Sequence, residues 1–529
     1  MQTLYQFKPH RPNEVIFLNE SPHIAFTRYM GPYACAAEVR KRGIDAVVFD
    51  FFTRAECDFF DIFEKLVTEH TKFLCISNTF LYSDEMLQIK NTYSDCFVSV
   101  NKPNERSHRY TINEYLSATM NLCWENAERI EAFFERILLI CPNIKILSGG
   151  ARTNDIYTFA KSGIDTEPFY LKDYVDRWLI GWGDKAVADV IENWDTIEYE
   201  DIGGFKFINV GNHPEWPKYD IPVAPFSVKD KVISHEMLPL EISRGCAFSC
   251  RFCHYDKGFS HKLNKDQIYS QLMHYYETFG VYKFSLTTDC FNDNYEHVKD
   301  FYEVVKSLPY KPIFASYARA DLCNKYPDII DMMAKSGFKV LQVGVESLTH
   351  EVAKAAGRGL PAEKIIDILG KFRDRGMYIV GNFIIGLPGE TPETQRKQFK
   401  WASEQNILNA RFRSLNVYPH VDDIAKVSTY PAYSMDPKRY GFTEFKFDPD
   451  MYWKHEGMDL KQARELHKEW RIKWRGRERE ARPIDLSGKM KRPMRLEHHM
   501  GAQNFRNGIH FQGRDRSEFL KEYYNRLVS

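Results

Sequence analysis

No apolar run in this 529-residue sequence reaches the ~18 residues that a membrane-spanning helix requires. The first residues, Met1-Gln-Thr-Leu-Tyr-Gln-Phe-Lys8, lack the apolar core of a secretory leader, so a cytoplasmic protein without a membrane anchor is expected. Charge of one sign is missing too. Lys and Arg total 72, as do Asp and Glu, so the overall balance points to neither nucleic acid nor a membrane surface as partner. Most of the eleven cysteines are scattered, at Cys35, Cys57, Cys75, Cys96, Cys123, Cys141, Cys290 and Cys323, which excludes a disulfide framework and suits a reducing compartment. None lies beyond Cys323, so no cysteine-rich C-terminal module for extra clusters is expected. With 43% hydrophobic and 27% charged residues the composition is globular, and the length asks for two or three domains.

The three remaining cysteines lie together in Arg244-Gly-Cys246-Ala-Phe-Ser-Cys250-Arg-Phe-Cys253-His-Tyr255, after the apolar run Met237-Leu-Pro-Leu-Glu-Ile242. Three cysteines in eight residues are too dense for core packing, and zinc usually needs a second ligand pair further along the chain. Thiolates hold iron–sulfur clusters, and a cubane normally takes four; three leave one iron open to a small molecule. The Cys-x3-Cys-x2-Cys spacing, with Phe252 before the last cysteine, resembles the cluster loop of the radical S-adenosylmethionine (radical SAM) superfamily. That resemblance implies that Cys246, Cys250 and Cys253 ligate a [4Fe-4S] cluster and serve its catalysis, with SAM at the open iron.

Ahead of this loop, short apolar runs alternate with helical stretches. Strands are expected at 15–19, 46–50, 73–77, 144–150 and 178–183, with helices at 34–42, 58–70 and 155–161. Such alternation implies a parallel Rossmann-like sheet that binds ligands at the carboxyl ends of its strands. With Gly149-Gly150 and Gly181-Trp-Gly183-Asp184, residues 13–195 resemble the cobalamin (B12)-binding domain that precedes many radical SAM enzymes. The resemblance implies cobalamin as a further cofactor, approached by the backbone at Gly149, Gly150, Gly181 and Gly183. The Asp-x-His-x-x-Gly signature that supplies a lower histidine to cobalt is absent. The segment from Leu81 to Glu135, with the polar loop Asn101–Arg109, exceeds a plain strand–helix unit. Pro214, Pro217, Pro222 and Pro225 break up the following stretch, giving domains at 1–195 and 236–420 joined by a linker at 196–235.

From Pro239 the alternation resumes, with strands expected at 240–242, 283–286, 312–315, 340–345, 378–385 and 411–417. Six such units resemble the partial (β/α)6 barrel of the superfamily, so the fold class is α/β, a Rossmann-like sheet followed by that barrel. By the same resemblance, residues at the strand ends hold SAM. Asp289 would take the amino group, with loop capping as the plain alternative. Cys290 beside it reads as packing or as a fourth ligand, packing being preferred. Arg319 would pair with the SAM carboxylate, or merely with Asp321. Gly344-Val-Glu346-Ser347 would accept from ribose hydroxyls or the amine, or cap the next helix. Phe383-Ile-Ile385-Gly386-Leu-Pro388-Gly-Glu390-Thr391 would cradle adenine.

After Pro419 the alternation stops, and 421–529 reads as a mostly helical or irregular cover. It has a charged helix from Asp459 to about Arg479 carrying Trp470 and Trp474, and polar density at Arg495, His498, His499 and Arg506. The resemblance implies reductive cleavage of SAM to a 5′-deoxyadenosyl radical, with an electron donor such as flavodoxin or ferredoxin. It further implies cobalamin-dependent methyl transfer to carbon or phosphorus, or a rearrangement, on a small molecule. RNA is a possible but not favoured substrate: Cys35, Cys57 and Cys75 show no grouping for a second cluster. A non-catalytic binding protein on the same fold is the remaining alternative.

Overall fold

A computed structural model of the chain describes residues 13–19, 28–52, 59–78, 127–163, 170–213, 215–216, 220–234, 236–254, 258–404, 409–417, 431–446, 452–470 and 516–529. The loop Asn101–Arg109, most of the segment from Leu81, Tyr255, and Trp474, Arg495, His498, His499 and Arg506 lie outside the described residues.

The first sheet has seven strands: β1 (Val15–Leu18), β2 (Ala46–Phe49), β3 (Phe73–Ser77), β4 (Lys145–Gly149), β5 (Arg177–Ile180), β6 (Glu200–Ile202) and β7 (Phe205–Asn209). Their order is β2-β1-β3-β4-β5-β7-β6, all parallel except the β6–β7 hairpin. Val15-Ile-Phe-Leu18 and Ala46-Val-Val-Phe49 are buried at every position, which is why they read as continuous apolar runs rather than alternating ones. The strand order reverses between β1 and β3, the point at which open α/β sheets gather ligands. Residues 200–209, read from sequence as part of the linker, belong to this sheet. The Gly203-Gly204 turn that looked like a breaker closes the hairpin, and polar Glu200-Asp201 occupy an exposed edge strand.

The second sheet consists of β8 (Met237–Leu240), β11 (Lys283–Leu286), β12 (Ile313–Ala318), β13 (Phe338–Glu346), β14 (Tyr378–Ile385) and β15 (Asn409–Ser414). A hairpin of β9 (Ser243–Cys246) and β10 (Phe259–Lys262) follows β8. The six strands lie in the order β15-β14-β13-β12-β11-β8, all parallel, with helices in the connections. This is the partial barrel expected from sequence. All its carboxyl ends share one rim, because parallel strands joined by helical crossovers run the same way.

Two C-terminal pieces close the molecule. An antiparallel sheet of β16 (Phe442–Lys446), β17 (Tyr452–His455) and β18 (Met458–Asp459), which the sequence reading did not foresee, leads into the helix Leu460–Glu469. Asp459 and Gln462 form a reciprocal cap at that helix start, and Trp470 packs on Phe412 of β15 with ring centroids 4.4 Å apart. The helix Arg516–Leu527 instead docks on the first sheet. Its Tyr523 hydroxyl donates to the Val48 carbonyl at 3.0 Å and accepts from the Asp50 N–H at 2.8 Å. The buried Arg28 lies over the Tyr523 ring and pairs with Glu236, just before β8, at 2.9 Å. The two sheets are thus tied by a buried polar network as well as by the chain.

Candidate active site

The trio sits on the β9–β10 hairpin at the barrel rim. Cys246 closes β9, and the Ala247 N–H after it donates to Asp293 (3.0 Å), whose other oxygen takes Lys262 of β10 (2.6 Å). Further along, the Arg251 N–H donates to the Ala356 carbonyl (3.0 Å), pinning the loop to the turn that follows β13. None of Cys246, Cys250 and Cys253 is in a disulfide. A hydrogen bond from the Cys290 thiol, aided by the Phe248 N–H, holds the Cys246 thiol down to about 7 against the opposing effect of burial. The same bond and burial push Cys290 well above the ordinary thiol range. Cys290 is buried beside Cys246, and its thiol donates to the Asn292 side-chain oxygen at 3.7 Å.

Among the described residues no group of three His, Cys, Asp or Glu converges to hold a single metal ion. A cubane asks for something else, since each thiolate binds its own iron and the sulfurs stand apart around the cluster. The donor set fits that requirement: three thiols outside any disulfide on one loop, one of them already acidified, with a guanidinium N–H from Arg319 3.0 Å from the Cys250 sulfur.

The other expected residues occupy the strand ends, and the structure gives several of them protein partners. Arg319, after β12, is 6% exposed, bonds Asp321 at 2.8 Å and lies 3.7 Å over the Phe248 ring. Glu346 ends β13 at φ 63°, a conformation that a residue with a side chain adopts at a cost. The register against β14 shifts there, and the carboxylate turns onto Arg358 at 2.5 Å. Gly344 matters for the same reason: a Cβ at that position would overlap the Arg358 guanidinium and the Glu346 carboxylate. Ser347 donates to Glu390, which also takes Thr394 and Gln398, so this buried carboxylate buttresses the turn after β13. Ile385 is fully buried and Pro388 half-buried, while Gly386, at φ 96°, presses on Trp453 of β17. The indole N–H of Trp453 donates to the Leu415 carbonyl at 3.0 Å. Phe252 packs half-buried against the core.

A cavity of about 470 Å³ opens where the carboxyl ends of β1, β3, β4 and β5 face the barrel rim. Gly149, Gly150, Gly181 and Gly183 all line it, and from the second sheet come Asp289 and His254, the residue after Cys253. Gly150 and Gly181 have φ of 111° and 99°, so both turns expose backbone where a side chain would stand. The cavity is on the scale of ligand pockets, and its walls suit a group approached by backbone. A corrin is larger than a drug-sized ligand, so these walls would enclose only part of one. Between the two sheets stands Arg244, two residues before Cys246. Its guanidinium pairs with Asp184 (2.7 Å) and Glu241 (2.8 Å) and lies 4.1 Å over the ring of Trp182, between the two cavity glycines.

Sequence reasoning missed Arg358 and Trp453. Arg358 did carry a signal, as the cation of the glycine-flanked turn Ala356-Gly-Arg-Gly359. Trp453 carried none, because its partner Gly386 lies in another unit of the chain.

Residues 240–401 match the Radical SAM superfamily. An uncharacterized methyltransferase of Pyrococcus horikoshii is 24% identical over 180 residues, 34% of this chain and 39% of that protein; the chain thus spans about two fifths of that curated relative. Among solved structures, the radical SAM methyltransferase TsrM from Kitasatospora setae, with cobalamin and a [4Fe-4S] cluster bound, superposes with a TM-score of 0.53. Identity is 12% over 80% of this chain and 77% of that one. The cobalamin-dependent enzyme OxsB, with aqua-cobalamin and SAM bound, gives 0.52 at 14% identity over 85% and 65%. Residues 240–401 are a radical SAM superfamily domain. Over 80–85% of its length the chain shares its fold with these two cobalamin-binding radical SAM enzymes.

Proposed function

We propose that this protein is a cobalamin-dependent radical SAM enzyme that transfers a methyl group to carbon or phosphorus of a small molecule. Cys246, Cys250 and Cys253 hold a [4Fe-4S] cluster, and Asp289, Arg319, Gly344, Glu346, Ser347, Ile385, Gly386 and Pro388 form the surroundings of SAM. Gly149, Gly150, Gly181 and Gly183 receive cobalamin. When bound, these groups supply the electron that breaks the carbon–sulfur bond of SAM and the methyl group that is transferred. The chain's own part is placement: the β9–β10 hairpin fixes the thiols, and the strand ends surround them with paired charges. The single observation that carries the reading is the cavity whose walls combine the four glycines with Asp289 and His254 beside the trio. It supports the reading because the glycines of the expected cobalamin turns share its walls with His254, the neighbour of Cys253.

The test is anaerobic purification with iron–sulfur reconstitution and added hydroxocobalamin, followed by iron and cobalt analysis. The proposal expects about four irons and one cobalt per chain, matching a single cubane beside one corrin. Iron without cobalt would remove the methyl carrier and leave a cobalamin-free radical enzyme on this fold. No iron, or iron retained by Cys250→Ala, would remove the cluster.

A further inference from the structure

The sequence places Arg319 where a SAM carboxylate partner belongs, but the structure gives its guanidinium a different neighbour. Its Nη1 donates to the Cys250 sulfur at 3.0 Å, across 69 residues of chain. The opposite edge, Nε and Nη2, is occupied by Asp321 at 2.8 Å. The face covers Phe248, the aromatic between the first two trio cysteines, at 3.7 Å. The backbone is pinned as well. The Arg319 N–H donates to the Asn292 side-chain oxygen at 2.8 Å, and the Asn292 amide donates back to the Arg319 carbonyl at 2.8 Å. A residue held by its backbone, one edge and one face cannot swing, so the N–H pointed at Cys250 is a fixed feature of the site.

We propose that Arg319 is a positioning residue that sets the reduction potential of the cluster held by the trio. This rests on the cluster reading above and goes beyond it. A charged N–H on a ligand sulfur stabilises the state with more negative charge, and reduction adds one electron to the cluster. Hydrogen bonds to cluster sulfurs are a principal means by which a protein moves that potential. The counter-charge of Asp321 lies on the far edge of the guanidinium, so the sulfur faces the donor rather than the carboxylate. Arg358 reinforces the arrangement. Cys250 is among the charges that favour its protonated form, alongside Glu346 and Asp321, so a second cation stands near the same thiol. The electron itself comes from an external low-potential one-electron donor, and the residue neither accepts nor passes it.

The experiment is a redox titration of the anaerobically reconstituted full chain, read by the electron paramagnetic resonance of the reduced cluster, with iron content measured in parallel. Arg319→Met, with iron equal to wild type, is expected to lower the potential. At the wild-type midpoint its reduced-to-oxidised ratio should fall about tenfold, which is 59 mV for one electron. Arg319→Lys, which restores a cation but not the fixed fork, is expected to fall between. Asp321→Asn removes the counter-charge while leaving the donor and is expected to move the potential up, so it decides the matter even if Arg319→Met fails to hold iron. Full iron with wild-type potentials in both Arg319→Met and Asp321→Asn would overturn the proposal. So would an unchanged potential in Arg319→Met together with weakened SAM binding, which would return the residue to the carboxylate. A wild-type chain that takes up no iron would instead sink the cluster reading on which it rests.

Discussion

Arg244 offers a sharp test of how the two sheets are joined. Replacing it by Met keeps the apolar stem and removes the charge that Glu241 and Asp184 share, together with the cation over Trp182. Both carboxylates are buried, at 7% and 8% exposure. Removing one partner of a buried ion pair costs ~3–5 kcal/mol, and the lost ring contact adds ~0.5–2 kcal/mol. One effect works against this. Burial already raises the Glu241 carboxyl above its usual range, with Arg244 opposing it, so without the guanidinium Glu241 takes up a proton and sheds part of the cost. The net expectation is about 3–4 kcal/mol. At ~2–4 °C per kcal/mol for domains of 150–250 residues, the melting temperature should drop on the order of 10 °C. The sign with pH follows. A carboxyl whose folded pKa is raised contributes stability below its unfolded pKa and loses it as pH rises through the folded value. The deficit of Arg244→Met should therefore be largest near pH 7 and narrow toward pH 5. Differential scanning fluorimetry across that range measures it, and Arg244→Met/Glu241→Met should recover part of the loss by replacing the pair with packed apolar groups. A melting temperature within ~2 °C of wild type, or a deficit that widens toward acid, would refute the assignment of Arg244 as a buried clamp.

Three further outcomes are expected. Gly386→Ala puts a Cβ into the Trp453 ring at a positive φ and should cost roughly 2–5 kcal/mol in chemical denaturation; Trp453→Phe in the same chain should relieve part of it, and additive losses would contradict the contact. Burial holds His297 at about 4, so between pH 6.5 and 4 the unfolded chain binds a proton the folded chain refuses. Stability should fall by up to about 3 kcal/mol as pH drops through that window, and His297→Leu should flatten this part of the melting-temperature profile. Tyr523→Phe removes one hydroxyl that serves both Val48 and Asp50, leaving buried backbone groups unpaired at ~1–3 kcal/mol. Faster proteolysis of the helix Arg516–Leu527 should accompany it, and an unchanged cleavage rate would mean the helix is held by apolar contact alone.

Much of the scaffold was legible because parallel strands buried on both faces advertise themselves. Lys283–Leu286 and Tyr378–Ile385 were read at the residues they occupy, the second as a nearly continuous apolar run. The glycines were legible for a related reason, since a Gly-Gly or Gly-x-Gly run directly after an apolar strand marks a turn at a carboxyl end. The β6–β7 hairpin was hidden by its edge position, where polar Glu200-Asp201 and two glycines look like a linker. The C-terminal sheet was hidden by its brevity: β17 is four residues and β18 two, too short for an alternation to register. Contacts between units were not legible at all. Nothing local to Arg244 reveals Asp184, and nothing in Tyr317-Ala-Arg319-Ala-Asp321 reveals Cys250.

That blindness matters most around the trio, where charge counts mislead. Four cations around the cluster loop are matched by carboxylates, Lys262 by Asp293, Arg244 by Asp184 and Glu241, Arg319 by Asp321 and Arg358 by Glu346, whereas Arg251 within the loop bonds the Ala355 carbonyl and lies over the Tyr440 ring. What favours negative sulfur here is direction. The Phe248 N–H and one corner of Arg319 are directed at trio sulfurs, while Asp321 lies on the far edge of the Arg319 guanidinium. Paired charges that remain oriented act on a bound group at short range and cost little in self-repulsion when the site is empty of it. A sequence with equal numbers of acids and bases can thus build a strongly polar site, provided the fold decides which face of each pair the site sees.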